Sequence, residues 1–490
     1  MAIYKHGTYG EFAPSVGQVA LSGGTVAVYV GAAPVNLIRG YKDKVNNPIK
    51  LTSMSDVRAN MGYSEEWAAF DLCEAFKLHF DNASGNIGPV VAINVLDPDK
   101  HKASAAVTKE VTFVNGRGII DDDTAIIDTL VIADSVEGTD FTVEYDYARS
   151  AVVLTAIGDN LYGKTVSVTY NAVDPGAVTA EDIIGAATDA GVYTGLGCVN
   201  LIYPDLHLIP NLICCPKWSE NPLVYDAMIV SGTKINGHWD AMVYADIPVL
   251  VDTEKVDSIA LAKQWQTNNG YNNERSKVFW PQATDADGRV YHAAVLGSWL
   301  TLMVDASNSG IPMESPSNKA IPVAKQYFGA GSANRGFDQQ QANTLNEVGI
   351  TTVIYWGGAW VLWGPHTSAY QYGAVRDNRV IFDTSIRMMM YQSNSFQNEH
   401  AITIDAPMTR AMADTIRNRE QEKADALAAV GAYIGTPVVE FIQSDNAVGD
   451  LVEGNFVWSF TGTPTPPFKS GTLKVAYTTA GFTSYFGEEE

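Results

Sequence analysis

The last stretch of the sequence reads as a strand that must find a partner. Gly462-Thr463-Pro464-Thr465-Pro466-Pro467 crowds three prolines into one short stretch. Each fixes φ and removes a backbone donor, so the stretch is expected to be a stiff, extended spacer. Behind it, in Ser470 to Thr478, Leu473, Val475 and Tyr477 alternate with Thr472, Lys474, Ala476 and Thr478. That is the period of a half-buried β-strand. The N–H and C=O groups of a strand need partners. The tail must therefore fold back onto its own body or complete the sheet of another molecule.

The order of elements upstream predicts an α/β (α+β) multidomain chain. Residues 1–22, with Gly7-Thr8-Tyr9-Gly10-Glu11-Phe12-Ala13-Pro14, have no helical period and read as an extended arm. Thr25 to Val30 is a buried strand, and Gly31 to Pro34 turns the chain. Ser64 is placed to cap a helix with Glu65 and Glu66 in its first turn and Trp67, Phe70, Leu72, Cys73, Phe76 and Phe80 as its apolar stripe. Pro89 to Val95 is the next strand, and strand–helix–strand predicts a parallel unit.

From 102 to 178 the pattern changes to five short strands, at 111–114, 130–132, 141–145, 151–154 and 166–170, separated by Gly and Asp turns. This predicts an inserted all-β domain. The α/β pattern resumes with a helix capped by Thr179. Strands follow at 208–215, 241–245 and 277–280, with helices around 259–265 and 291–304. A hairpin is expected at 351–356 and 359–363 about Gly357-Gly358. Helices are expected at 382–391, where Met388, Met389 and Met390 read as core filling, and at 408–433, stopped by Gly435-Thr436-Pro437. Strands at 438–442 and 456–460 precede the tail. The expected division is an arm (1–22), an α/β middle domain (23–101 and 179–335), the inserted β domain (102–178), a C-terminal domain (336–461) and a C-terminal arm (462–490).

Composition narrows the function. The 490 residues, 46% hydrophobic and 18% charged, can bury a large core. Lys+Arg of 32 against Asp+Glu of 55 leaves 32 − 55 = −23, which argues against nucleic acid as a main partner. Cys73, Cys198, Cys214 and Cys215 form no C-x-x-C and read as buried thiols. No basic-then-apolar leader opens the chain, and no uncharged apolar run reaches the ~18 residues that span a bilayer. Gly195-Leu196-Gly197 lacks the rest of a dinucleotide fingerprint. Asp121-Asp122-Asp123 reads as a solvated acidic turn before a calcium site, and Asp285-Ala286-Asp287-Gly288 as a turn without the later ligands of a calcium loop. The eight histidines are dispersed, and no Gly-x-Ser-x-Gly elbow occurs. No catalytic, cofactor or metal residues are assigned. A site built from residues distant in sequence stays open.

A set of motifs in order carries a resemblance. Asn343, Asn346, Gly349 and Ile350 form an N-x-x-N-x-x-G-I entry, Trp363-Gly364-Pro365-His366-Thr367 a Trp-Gly-x-Arg-Thr-like turn, and Asn378-Arg379 an Asn-Arg-Arg-like segment before a helix. With Gly7-Thr8-Tyr9, Glu11 and the first strand, the chain resembles the tail sheath proteins of contractile phage tails and phage-tail-like bacteriocins. His366 and Val380 stand where the family has arginines, and residues 102–178 lie outside the match. The resemblance implies a non-enzymatic structural subunit, without cofactor, that polymerises with itself as stacked six-fold rings around a tail tube protein. It implies partners in baseplate and tail terminator proteins, neither nucleic-acid binding nor direct membrane insertion, and assembly in the bacterial cytoplasm into a virion or tail-like particle. It also implies that terminal arms pair with neighbouring subunits, through Tyr9 and Phe12 at one end and Leu473, Val475 and Tyr477 at the other.

Two further readings stay open. Arg410 and Arg417, with Asp414 between, and then Arg419 and Lys423, would form a tube-facing cationic face on the long helix, or an ordinary solvated helix with internal ion pairs. An α/β enzyme binding a nucleotide or sugar, with an accessory β module, is the rival from another class.

Overall fold

The computed structural model describes residues 21–374 and 377–486. The body is built on one eight-stranded sheet. It opens with β1 (Leu21–Gly31), β2 (Pro48–Leu51) and β3 (Ile87–Asn94). β1 and β3 run parallel, with Val28 opposite Val91, and β2 lies antiparallel on the outside of β3. Helices α1 (Met54–Asn60) and α2 (Leu72–Phe80) connect them. The helix expected from Ser64 thus starts only at Leu72. Ser64 Oγ does accept the Glu66 N–H at 3.0 Å, but it also donates to Asp123 of the inserted module. That tie holds residues 64–71 in turns, while Phe70 still packs fully buried.

The insert holds six strands rather than five: β4 (Val107–Thr112), β5 (Arg117–Ile120), β6 (Val131–Ile132), β7 (Phe141–Asp146), β8 (Ala151–Ala156) and β9 (Thr165–Tyr170). They form two three-stranded antiparallel sheets, β4-β9-β6 and β5-β8-β7, closed over their own core of Val111, Phe113, Ile120, Phe141, Leu154 and Val168. β5 escapes the sequence pattern because Arg117-Gly118 opens it. The insert is fastened to the body. Leu37, from the loop after β1, belongs to the insert's core. Asn36 Nδ2 donates to Asp123 O and Ala125 O at 2.9 and 3.0 Å, and Arg39 pairs with Asp128 and Glu137.

The body then resumes with α3 (Ala180–Ile184), whose Thr179–Asp182 capping box matches the expected N-cap, followed by α4 (Ile202–Leu206) and α5 (Pro222–Ser231). Strands β10 (Leu212–Cys214), β11 (Met242–Asp246) and β12 (Ser276–Phe279) alternate with α6 (Ile259–Asn268) and precede α7 (Ala293–Ser307). Next come α8 (Gln339–Asn346) and the hairpin β13 (Ile350–Trp356) and β14 (Ala359–Trp363). The sheet order is β2-β3-β1-β10-β11-β12-β13-β14, parallel from β3 through β13 and antiparallel at both edges. The central strands are apolar on both faces, because helices cover both. β11 is buried at every position, and α7 is buried along most of its length. At the hairpin, Gly357 and Gly358 take φ of 62° and 91°, as a tight two-residue turn with positive φ requires.

Two long helices, α9 (Asp383–His400) and α10 (Arg410–Ala429), carry a small sheet of β15 (Tyr433–Glu440) and β16 (Ser459–Pro464), with α11 (Val448–Val452) between its strands. Two expectations fail here. Gly435-Thr436-Pro437 does not stop α10; it lies inside β15, where the register breaks between Ile434 and Val438. The helix ends earlier, before Gly431 at φ 86°. The proline stretch is not all spacer either, because Pro464 pairs with Tyr433 and Thr465 N–H still donates to Ala432 O at 3.0 Å.

Candidate assembly surfaces

From Thr465 to Thr478 the tail forms no strand. Its apolar residues stand in solvent: Leu473 is 86% exposed, Val475 84% and Tyr477 81%. Its root is held, since the Lys469 ammonium lies 5.3 Å from the centre of the Tyr370 ring. Beyond it, residues 480–486 close in a 3₁₀ turn. Of the two fates open to this segment, folding back into a sheet of its own chain is absent among the described residues. Tyr9 and Phe12, the expected pairing residues at the other end, lie outside the described residues.

An unpaired strand needs an open sheet edge, and in the large and the C-terminal sheets three of the four edges are covered or blunted. At β14 the segment 318–321 takes the outward backbone groups: Asn318 N–H donates to Leu362 O at 2.6 Å, Leu362 N–H to Lys319 O at 3.1 Å and Ile321 N–H to Trp360 O at 3.0 Å. At the far edge, β2 is short, begins at Pro48 and exposes Lys50, features that blunt an edge. In the small sheet, Gln421 caps β15 from outside, donating to Pro437 O at 2.9 Å and accepting from Val439 N–H at 2.8 Å. Directly opposed residues of an antiparallel ladder point their backbone groups either both inward or both outward. Val439 points out to Gln421, so its partner Phe460 points outward from β16. That edge of β16 is the open one. Beside it lies an apolar cleft of about 240 Å³ walled by Met389, Phe396, Trp458 and Phe460.

The long helix gives its cations mostly internal work. Arg410 forms two 3.0 Å bonds to Asp414 and lies over the Phe441 ring at 5.3 Å. Lys423 crosses to α9, pairing with Glu399 at 2.7 Å and Ser395 at 2.5 Å. Arg417 donates to Asn418. Arg419 is exposed and makes no ion pair among the described residues. The buried face carries Glu420, which meets His400 at 2.8 Å.

The motif residues meet at one junction. Asn346 Nδ2 donates to Ile350 O at 2.8 Å and Trp363 O at 3.1 Å, and Asn343 Oδ1 accepts from Trp363 Nε1 at 3.1 Å. Gly349 has φ 76°, and a Cβ there would sit 2.4 Å from Thr367 O. His366 lies flat on Tyr370, ring centres 3.5 Å apart, and its Nδ1 meets Ile381 O at 2.7 Å. Val380 is buried. Underneath, Lys277 is wholly buried and donates to Gly364 O and Asp383 Oδ2 at 2.7 and 2.6 Å. Burial pulls this ammonium's pKa down, and the Asp383 charge opposes the fall. The junction ties the hairpin to α9 by backbone capture. No sequence signal marked Lys277, since a lone lysine opening an apolar strand reads as surface.

Two other polar clusters lie inside. Asp122 and Asp123 do not form a solvated turn: Asp122 accepts from Thr124 and Tyr170, and Asp123 from Tyr145 at 2.6 Å and Ser64. Asp123, through Ser64, joins insert to body, while Asp122 braces the insert itself. At the N-terminus of α7, His292 Nδ1 meets Glu74 at 2.8 Å, with Glu220 at 3.7 Å, and Asp246 accepts the Ala294 N–H at 2.9 Å. Burial pushes Asp246 up to about 7, with His292 opposing and Glu220 adding. Burial lowers His292, but Glu74, Glu220 and Asp246 together outweigh it and push the imidazole up to about 10. Among the described residues no group of His, Cys, Asp and Glu is arranged to hold a metal ion.

The fold as a whole is similar to that of chains from contractile systems. A chain of the anti-feeding prophage helical sheath in its contracted state superposes with a TM-score of 0.54 at 12% identity, covering 96% of this chain and 98% of that one. A chain of the six-fold symmetrised baseplate of the same prophage gives 0.55 at 12% identity, covering 97% and 100%. In sequence, the chain is similar to the tail sheath protein of Burkholderia phage BcepMu, 27% identical over 471 residues, 92% of this chain and 91% of that protein. No protein-family model matches. The resemblance to contractile tail sheath proteins therefore holds in fold and in sequence along nearly the whole chain.

Proposed function

We propose that this chain is the sheath subunit of a contractile phage tail or tail-like particle, a structural protein that polymerises with itself around a tail tube and shortens to drive the tube through a target envelope. Stacked six-fold rings, a seat on the baseplate, a terminator at the far end and assembly in the bacterial cytoplasm belong to the same reading. The observation that carries it is the tail: a strand-patterned segment, exposed from Phe468 to Tyr477, in a chain whose small sheet keeps one edge open. Seated on that edge in a neighbour, the tail would satisfy both sets of backbone groups, with its alternate side chains directed at the neighbour's apolar surface. A net charge of −23 keeps unassembled copies apart and disfavours a nucleic-acid role. For the tube-facing side, Arg417 and Arg419 remain as candidates, while Arg410 and Lys423 are committed to Asp414 and Glu399. Electron microscopy of the purified chain tests the reading. Tubes or stacked rings are expected from the full chain and discrete particles from a chain ended after Pro467. Discrete particles from both, across conditions and concentrations, would overturn it.

A further inference from the structure

A groove of about 830 Å³ lies between the root of the tail and the hairpin of the large sheet. Rings line it: Trp356 and Trp363 from the hairpin, Tyr370 and Tyr372 from the segment that follows. Trp356 is 46% exposed and Tyr372 71%, so this aromatic surface faces water in the single copy. The tail from Thr465 to Gly471 lines the groove as well. That stretch is held at two points, by Thr465 on Gly431 O and Ala432 O, and by Lys469 on Tyr370. The charges around the groove cancel. Glu314 pairs with Lys319, and Glu347 and Lys469 add one of each sign. In a chain of net charge −23, such a neutral place admits a second copy without repulsion. It suits an apolar, uncharged occupant, because a charge brought there would lose its water without gaining a partner.

The far end of the tail has that chemistry. From Val475 to Phe486 it carries no charge. Where it turns, at residues 480–486, Phe482 and Tyr485 stack with ring centres 5.7 Å apart. They are 52% and 78% exposed, and one turn holds both, which makes them a compact anchor with little rotamer freedom to lose. Anchor and groove also fall in line. β16 leads straight into the groove, since Pro464 is followed by Thr465. A neighbour's tail laid on the open edge of β16 in the same direction, with 472–478 beside 458–464, brings 479–485 beside 465–471. Laid the other way, it would lead away from the groove. We propose that the Phe482–Tyr485 ring pair of one copy seats in the aromatic groove of the next and locks the donated strand at its far end. The proposal rests on the sheath reading and on pairing at β16, and gives that pairing a direction and an anchor.

Pelleting of the full chain across a dilution series tests it. Phe482→Ser/Tyr485→Ser should raise the concentration needed for polymer about tenfold or more, as the withdrawal of two rings from water on assembly requires. Tyr372→Ser, which changes an exposed side chain of the groove, should raise it as well. The three changes together should raise it no further than the ring-pair variant does, because they remove one contact from its two sides. Melting of the dilute, unassembled chain should stay at the parent temperature throughout. If Tyr372→Ser melts lower, Trp356→Ser completes the same cycle. A ring-pair variant that polymerises at the parent threshold would overturn the proposal, and so would a ring-pair effect undiminished in the groove variant. A lower melting temperature of the ring-pair variant with an unmoved threshold would place the rings in their own chain's groove and overturn it too. A parent chain that forms no polymer at any concentration overturns the sheath reading along with the anchor, and is thereby told apart from a failure of the anchor alone.

Discussion

Replacing Leu473, Val475 and Tyr477 together by serine separates the stability of a copy from the cohesion of its assembly. In one copy these side chains are more than four-fifths exposed, so removing them takes away almost no burial. Folding stability should change by no more than about 0.5 kcal/mol, the ordinary range for surface substitutions. On a neighbour's sheet the same three would lie on one face. At the lower end of side-chain burial, about 1.5 kcal/mol each, they contribute roughly 4–5 kcal/mol of association. That corresponds to about a thousandfold rise in the concentration needed for polymer. Lys474, on the opposite face of the strand, is the control, and Lys474→Gln should leave that concentration nearly unchanged. Pelleting across a dilution series measures the threshold, and thermal melting below it measures the copy. A triple variant that polymerises at the parent threshold, or that melts well below the parent, would refute the reasoning.

Other outcomes follow from the junction and the buried charges. Asn346→Ala strands the carbonyls of Ile350 and Trp363 and should cost about 2–3 kcal/mol in urea unfolding. Gly349→Ala, with positive φ and Thr367 O at 2.4 Å, should yield little soluble protein on expression. Lys277→Met leaves Asp383 charged and buried and should cost about 3–5 kcal/mol, much of it regained in Lys277→Met/Asp383→Leu. Asp246 rises from an ordinary 3.8 to about 7, so the folded state holds its proton longer than the unfolded state does. That contribution is complete below the unfolded value and is lost as pH climbs to about 7. His292, raised to about 10, adds a second loss from about 6.5 upward. Urea midpoints against pH should show both stages, and Asp246→Asn should shrink the first, leaving the share that the equally raised Asp71 carries.

The parallel core was legible because its strands are continuous apolar runs; β3, β11 and β12 fall within two residues of where those runs lie, while β1 begins four residues before its run. Gly357-Gly358 likewise announced its hairpin. The misreadings came from residues whose side chains serve distant partners. Ser64 looks like a helix cap but is also tied to Asp123 across the insert joint. Gly435-Thr436-Pro437 carries stop-signal chemistry, yet tertiary pairing with β16 turns it into a strand irregularity. The tail was readable as a strand without a sheet, whereas the edge open to it was not. That edge depends on which backbone groups Gln421 and residues 318–321 have already taken. The spacing of Arg410, Arg417, Arg419 and Lys423 was plain in sequence, but the Glu399 that engages Lys423 sits on another helix. The Lys277 site and the His292 cluster are assembled from remote positions, and one-dimensional periodicity is blind to them.

The seating of Leu37 in the insert's core, with Arg39 held by two of its carboxylates, has a practical consequence. These ties oppose a pivot of the insert on its own connections, so it should act as a lever fixed to the body. A fluorophore at Asp159, on an exposed turn of that lever, would therefore report any rotation of the whole subunit with little lag or damping.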